Sequence, residues 1–245
     1  MPYLSVIIPA YNEEKRISKT LLSVDQYLTK QSFDYEILVV NGGSTDKTAE
    51  VVTNFQKMIK NLRLLTKDGC RGKGEAVRFG MAHTQGQIRL FMDADNSTTL
   101  DHFGRMKPYF DKGYDIVIGT RDKKDLAEAQ QAVPQPWIKR QLGNVGNLLI
   151  QIFAVPGIWD TQCGFKAFTA EVADTVFPKG KIDRWGFDFE ILAIARKLGF
   201  KIAKIPVYWI NDAESKVSFS GYINTFKELF QVWWWLIIDK YGIKK

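Results

Sequence analysis

The stretch "RLFMDADNSTT" (89–99) decides how the chain is read, because an apolar run that fits a buried strand ends on two carboxylates, Asp93 and Asp95. A charge at a strand end must meet water, a counter-charge or a bound cation. The D-x-D pattern alone is weak, since such turns are common on solvated surfaces. Its weight comes from the elements around it.

On either side of this stretch, short β-rich runs alternate with helical patterns. "LSVIIP" precedes a helix expected over about 13–30, "YEILVV" one over about 45–60, and "LRLLT" one over about 74–83. "QIRLFM" precedes a helix near 99–112, and "YDIVIGT" follows. That order predicts an α/β fold, a Rossmann-like, mostly parallel central sheet with helices on both faces. Ligands of such sheets collect at the carboxyl ends of the strands. Four of those ends carry polar residues here: Tyr11-Asn12-Glu13, Asn41 to Asp46, Asp93 to Asp95, and Arg121. A hard cation such as Mg²⁺, usually held by one or two carboxylates and substrate phosphates, would account for the acidic pair.

The segment "DKKDLAEAQQAVPQPW" (122–137) reads as a mobile surface loop, followed by a helix from about Trp137. "DTQCGFKAF" (160–168), a helix in "RWGFDFEILAIARKLG" (184–199) and a strand in "KIAKIPVYWI" (201–210) complete the chain's second half. In "NGGSTDKT" (41–48), Ser44, Thr45 and Asp46 are candidate helix caps and Asn41 a ligand contact. "CRGKGEAVRFG" (70–80) lacks both the P-loop and the dinucleotide spacing. Gly72 and Gly74 still permit close backbone approach, and Arg71 and Lys73 are placed to face an anion.

The chain has 245 residues, 45% of them hydrophobic, and a formal charge of +7, which points to an anionic partner. Nucleic acid is disfavoured, because the basic residues are scattered and the aromatics cluster near the C-terminus. Two distant cysteines, Cys70 and Cys163, indicate neither a zinc site nor a disulfide framework, and a cytoplasmic location is expected. The first residues read as a strand rather than a signal peptide. "LGNVGNLLIQIFAVPGIW" (142–159) carries Asn144, Asn147, Gln151 and Pro156 and makes a poor membrane span. "FKELFQVWWWLIIDKYGIKK" (226–245) fits an amphipathic helix at a lipid interface equally as well as one packed on the core.

"VIIPAYNEE", "VVNGGSTDKT", "RGKGEAVRFGM", "MDADNSTT", "GTR", "DTQCGFKAF", "RWGFDFEIL" and "ESK" stand in the order found in family 2 glycosyltransferases of the GT-A fold. The chain resembles that family over almost its whole length, most closely the branch that makes dolichyl- or polyprenyl-phosphate glucose and mannose. The resemblance implies that Pro9, Tyr11, Asn12, Glu13 and Asn41 line the nucleotide-sugar pocket, with Lys216 beside the diphosphate. Arg71 and Lys73 join this donor set from the reading above. Asp93 contacts the donor and Asp95 binds Mg²⁺ or Mn²⁺, with Ser97 as a further metal candidate where mannose-type relatives carry glutamine. Arg121, Arg140, Gln162 and Arg184 fall to phosphate and acceptor binding. Asp160 and Asp188 join Asp93 and Asp95 as catalytic candidates, and Trp185 and Glu190 sit with Asp188 in a helix facing the sugar. Relatives usually carry aspartate at Asn41 and often an acid at Gly42, so the base contact is altered.

The implied domains are a catalytic unit over 1–217, with a nucleotide-sugar half (1–121) and an acceptor half (137–217), and an amphipathic C-terminal segment over 218–245. The implied reaction moves a hexose with inversion onto a polyprenyl or dolichyl phosphate at the cytoplasmic face of a membrane. UDP-glucose is favoured as donor over GDP-mannose. A phosphomonoester with a second pKa of about 6 is largely ionised at neutral pH and needs no general base. The alternatives are a sugar-hydroxyl acceptor served by Asp160, Asp188 or Glu190 as base, and an inactive nucleotide-sugar-binding protein.

Overall fold

The computed structural model describes residues 1–131, 137–210 and 219–243. Its first half runs β1 (Leu4–Ala10), α1 (Ile17–Leu28), β2 (Tyr35–Asn41), α2 (Thr48–Phe55), β3 (Leu62–Thr66), α3 (Lys73–Ala82), β4 (Ile88–Met92), α4 (Phe103–Asp111) and β5 (Ile116–Thr120). The second half adds β6 (Gln130–Gln131), α5 (Trp137–Phe153), β7 (Phe165–Thr169), α6 (Ala170–Val176), α7 (Phe187–Lys197), β8 (Ile202–Pro206), β9 (Tyr208–Trp209) and α8 (Phe219–Ile237). The helices start and stop within a few residues of the expected bounds.

Seven strands form one sheet in the order β3-β2-β1-β4-β7-β5-β8. All neighbours pair in parallel except β7, which is antiparallel to both β4 and β5. Strand alternation splits the apolar residues between two faces. Ile7, Leu38 and Phe91 join the layer of α3, α6, α7 and α8, whereas Val6, Ile8 and Leu90 join that of α1 and α4. The only charge in fully buried β4, Arg89, is neutralised by Asp174 of α6 at 2.7 Å.

The antiparallel β7 positions the site. Running against β4, it starts at the carboxyl edge, so the preceding residues 160–164 are delivered beside Asp93, and the Asp93 N–H donates to Gly164 O at 3.1 Å. The segment 122–131 departs from the expected mobile loop. Asp125 is fully enclosed, taking hydrogen bonds from the amides of Trp159 and Asp160 and from Lys204 Nζ at 2.7 Å, and β6 pairs with β9. With Thr120 Oγ1 at 3.0 Å, one buried carboxylate satisfies four donors and anchors the segment. At the other end of the chain, Leu229, Val232, Tyr241 and Ile243 share the core cluster of the sheet, while Phe230, Trp233, Trp234, Ile237 and Ile238 stay exposed. The core-packed reading of the tryptophan segment therefore describes one face of α8, and the other face is left exposed and apolar.

Candidate active site

The two acidic residues lie at the edge of the sheet, in a loop fastened at each step. Thr20 Oγ1 donates to Ala94 O at 2.5 Å, the Ser97 amide donates to Asp95 Oδ1 at 2.9 Å, and Asn96 turns the chain through a left-handed φ of 56°. Behind Asp93 the loop meets Gly164, where any Cβ would collide with the carboxylate. Lys73, at the first position of α3, faces Asp93 with Nζ 2.6 Å from Oδ1. Its ammonium also lies 5.5 Å from the centre of the Trp185 ring and 5.7 Å from that of Phe91, distances at which a cation gains from a ring face. Burial works against the Lys73 charge, but Asp93 and Asp188 outweigh it and hold the amine above the ordinary lysine range. Burial, with Asp93 next door, pushes the Asp95 carboxyl up against the pull of the Ser97 amide.

Across the insertion of β7, Arg121 and Asp160 form a two-pronged ion pair, Nε to Oδ2 and Nη2 to Oδ1, both at 2.8 Å. The Arg121 amide adds a third bond at 2.8 Å, and the Trp209 ring lies 5.2 Å from the guanidinium. Asp160 is buried, which alone would raise its pKa, yet the adjacent guanidinium and amide hold it below the usual carboxylate range. The strap that carries Trp209 is laced to the acidic loop, with Tyr208 N–H on His102 Nε2 at 3.1 Å and Ile210 N–H on Ser97 O at 2.9 Å. Beneath the edge, Lys166 is sealed from solvent and bonds Asp188 and the Cys163 carbonyl, the latter at 2.8 Å. Burial pushes the Asp188 carboxyl up against the pull of Lys166 and Lys73, and pushes the Cys163 thiol up to about 12, which removes it as a nucleophile at neutral pH.

The remaining predicted residues divide. Tyr11 is exposed, and Asn12 accepts the Thr45 amide at 2.8 Å while its own amide donates to Ser44 Oγ at 3.0 Å, so the β1 and β2 loops form one rim beside Pro9. Ser44 and Thr45 therefore stitch loops together, and Asp46, one residue ahead of the N-cap Lys47, takes the Thr48 amide at the start of α2 at 2.9 Å. Glu13 is held by Arg16 Nε at 2.7 Å. Asn41 is buried, taking the Ser44 amide at 3.0 Å and donating to Thr66 at 3.3 Å. Arg71 turns to Glu75 and Asp183, each at 3.1 Å, and Arg184 is exposed beside Gly72. Gln162 borders a small cavity between α5 and α8 with Gly146, Thr225 and Phe226. Lys216 lies outside the described residues, as does the side chain of Arg140. A separate cavity of about 560 Å³ is lined by His102, Arg105, Tyr109 and Tyr208, and includes none of the predicted site residues.

Sequence reasoning missed Gly164, Lys166, Asp125 and Trp209. Lys166 left one signal, a lysine amid the apolar run "GFKAF". Among the described residues no three acidic, histidine or cysteine side chains converge as a metal cage. Two carboxylates at an open edge suit an ion that completes its shell with water and substrate oxygens, as Mg²⁺ and Mn²⁺ do, rather than zinc. The neighbouring Asn96 Oδ1 and Thr161 Oγ1, both buried, have no hydrogen-bond partner. The donor set fits a hard divalent cation.

The glycosyl transferase family 2 model matches residues 5–177. The chain belongs to this family. A dolichyl-phosphate beta-glucosyltransferase of Trichomonas vaginalis is 38% identical over 240 residues, covering 94% of this chain and 70% of the relative. The Homo sapiens dolichyl-phosphate beta-glucosyltransferase is 33% identical over 241 residues, covering 92% and 73%. Among solved structures, glucosyl-3-phosphoglycerate synthase from Mycobacterium tuberculosis with Mn²⁺, UDP-glucose and phosphoglyceric acid superposes at a TM-score of 0.69 with 17% identity, covering all of this chain and 81% of that one. The fold is GT-A, and the protein is a glycosyltransferase.

The raised carboxyl of Asp95 has a consequence for stability. Its folded pKa lies above its unfolded one, so the native state binds the extra proton and stability falls as pH rises through that window. At neutral pH the penalty is present in full. Asp95→Asn keeps the acceptor for the Ser97 amide, so thermal unfolding without metal should shift upward by roughly 2–4 °C. The stabilisation that Mn²⁺ with UDP gives the wild type should vanish in the variant. A lower melting temperature for the metal-free variant would contradict this account of the acidic pair.

Proposed function

We propose that the protein transfers glucose from UDP-glucose to dolichyl phosphate or a related polyprenyl phosphate, with inversion, at a membrane surface, using Mg²⁺ or Mn²⁺ held by Asp95, with Asp93 facing the donor. One observation carries the choice of acceptor. Each acid that could deprotonate a sugar hydroxyl is already committed: Asp160 to Arg121, Asp188 to buried Lys166, and Glu190 to the amides of Lys181 and Ile182 and the Tyr241 hydroxyl. An acceptor that arrives ionised needs no base. A phosphate acceptor therefore fits this edge, and a sugar-hydroxyl acceptor does not. The names of the relatives support glucose and dolichyl phosphate.

A bound divalent cation supplies charge neutralisation to the departing diphosphate. The chain's own residues do the rest. Lys73 and Arg121 set positive charge on either side of the acidic pair, where a low local dielectric strengthens it. Trp185, half-exposed against Lys73, offers a flat apolar wall beside the sugar position. Asp160 fixes the planar guanidinium, so its orientation costs little at the moment of reaction.

The membrane reading rests on two helices. Phe153 of α5 packs on Phe230 and Trp233 of α8, with ring centres 5.4 and 5.5 Å apart. Beside that seam, α5 exposes Val145, Leu148 and Ile152, and α8 exposes Phe230, Trp234 and Ile237. The joint apolar surface suits insertion among lipid headgroups, with tryptophan at the interface. No described helix is long and apolar enough to cross a membrane. Docking at the cytoplasmic face completes the proposal.

Labelled UDP-glucose incubated with the protein, Mn²⁺ and dolichyl phosphate should yield a chloroform-soluble labelled lipid, whereas GDP-mannose should give little. Label found only in water-soluble saccharide would overturn the acceptor assignment. Replacing Trp234, Ile237 and Ile238 together by serine should reduce flotation with anionic vesicles about tenfold or more while the melting temperature holds. Undiminished flotation would overturn the membrane assignment. Point changes are the right probe, because deletion of the segment would strip Leu229, Val232 and Tyr241 from the core.

A further inference from the structure

We propose that Glu228, on the helix assigned to the lipid surface, is a positioning residue for the donor site: it holds the loop that seats Lys73 against Asp93. This rests on the function proposed above. Glu228 Oε2 accepts the Gly186 N–H at 2.7 Å. The seat is tight, since a Cβ at Gly186 would lie 2.7 Å from Glu228 Oε2 and 2.9 Å from Phe189 Cζ. After the helix, Tyr241 donates to Glu190 Oε1 at 2.9 Å. The C-terminal segment is thus fastened to residues 181–190 at two points, Gly186 and Glu190.

That loop packs backbone to backbone on the start of α3. The Glu75 amide donates to Asp183 O at 3.1 Å. A Cβ at Gly72 would meet Asp183 O at 2.6 Å, and one at Gly74 would meet Ile182 O at 2.7 Å and Phe187 Cβ at 2.6 Å. Lys73 sits between these two glycines with the Trp185 ring over its ammonium. A shift of the Gly186 region therefore moves the residue that faces Asp93. Packing alone does not require a carboxylate here, because Leu229 and Val232 already bury the inner face of α8. Burial opposes the Glu228 charge, with Asp183 adding repulsion, and only the Gly186 amide and Arg184 favour it. A half-buried carboxylate under that penalty is retained for what it holds.

The test compares wild type, Glu228→Ala and Glu228→Gln as full chains on vesicles, with UDP-glucose and Mn²⁺. Glu228→Ala should lower kcat/KM about tenfold, chiefly through the KM for UDP-glucose, with the KM for dolichyl phosphate and vesicle binding unchanged. Amide hydrogen exchange, which needs no turnover, should quicken over 181–187 and 70–75 and nowhere else. Glu228→Gln, whose amide oxygen can accept the same bond, should restore most of both readouts. Exchange that quickens throughout the chain with kinetics intact, or a glutamine variant as impaired as the alanine one, would overturn the proposal. A wild type that neither binds nor turns over UDP-glucose, with local exchange behaving as expected, would instead overturn the function beneath it.

Discussion

The contact between the Lys73 ammonium and the Asp93 carboxylate, 2.6 Å apart, is the one on which the site depends. It ties the start of α3 to the end of β4, and each partner is fixed from behind. Gly164 leaves room for Asp93 only because it lacks a Cβ, and residues 182–187 press on Gly72 and Gly74 on either side of Lys73. Below, Phe91 lies within 6 Å of both Lys73 and Lys166, 5.7 and 5.2 Å respectively, an apolar floor under two cations. Charges of both signs are thus gathered at one edge, on partly buried side chains whose fields are less screened than in bulk water.

The arrangement follows from one topological choice. A wholly parallel sheet would leave β4 and β5 adjacent, with Asp93 and Arg121 at neighbouring ends. Inserting β7 antiparallel between them brings residues 160–164 back to the ligand edge, so Asp160 meets Arg121 and Cys163 O meets Lys166. The price is two buried acid–base pairs, which are costly to desolvate and costly to break. In exchange the cations are fixed in direction by Asp160 and Asp188, and neither acid is left free as a base.

Much of this was legible in the sequence. The apolar runs of β1 to β5 and their polar ends were plain because parallel strands buried on both faces read as continuous hydrophobic stretches. The acidic pair, Lys73 and Arg121 fell at one edge as the β/α order predicts. The direction of β7 was not legible, since "GFKAF" carries no local mark of its partner strands. Asp125 misled for the opposite reason: a charged, proline-bearing segment looks solvated, and only the amides of Trp159 and Asp160, more than 30 residues away, show why the carboxylate is buried. Asn41 and Ser44 read as ligand contact and helix cap because their side chains suit either task. The fold uses both to close the rim.

Helix α8, whose outer face is exposed and apolar, is packed in one body with the acidic edge, because Glu228 accepts the Gly186 amide in the loop that presses on the glycines flanking Lys73. The proposed lipid-docking face and the proposed donor site therefore share a structural support. The most direct measurement is a crystal of the protein grown with UDP-glucose and Mn²⁺, with the manganese located by its anomalous signal. The account predicts the ion between Asp95 and the diphosphate, with Asp93 and Lys73 lining the donor. Manganese bound elsewhere, or a nucleotide seated without it, would contradict the claim.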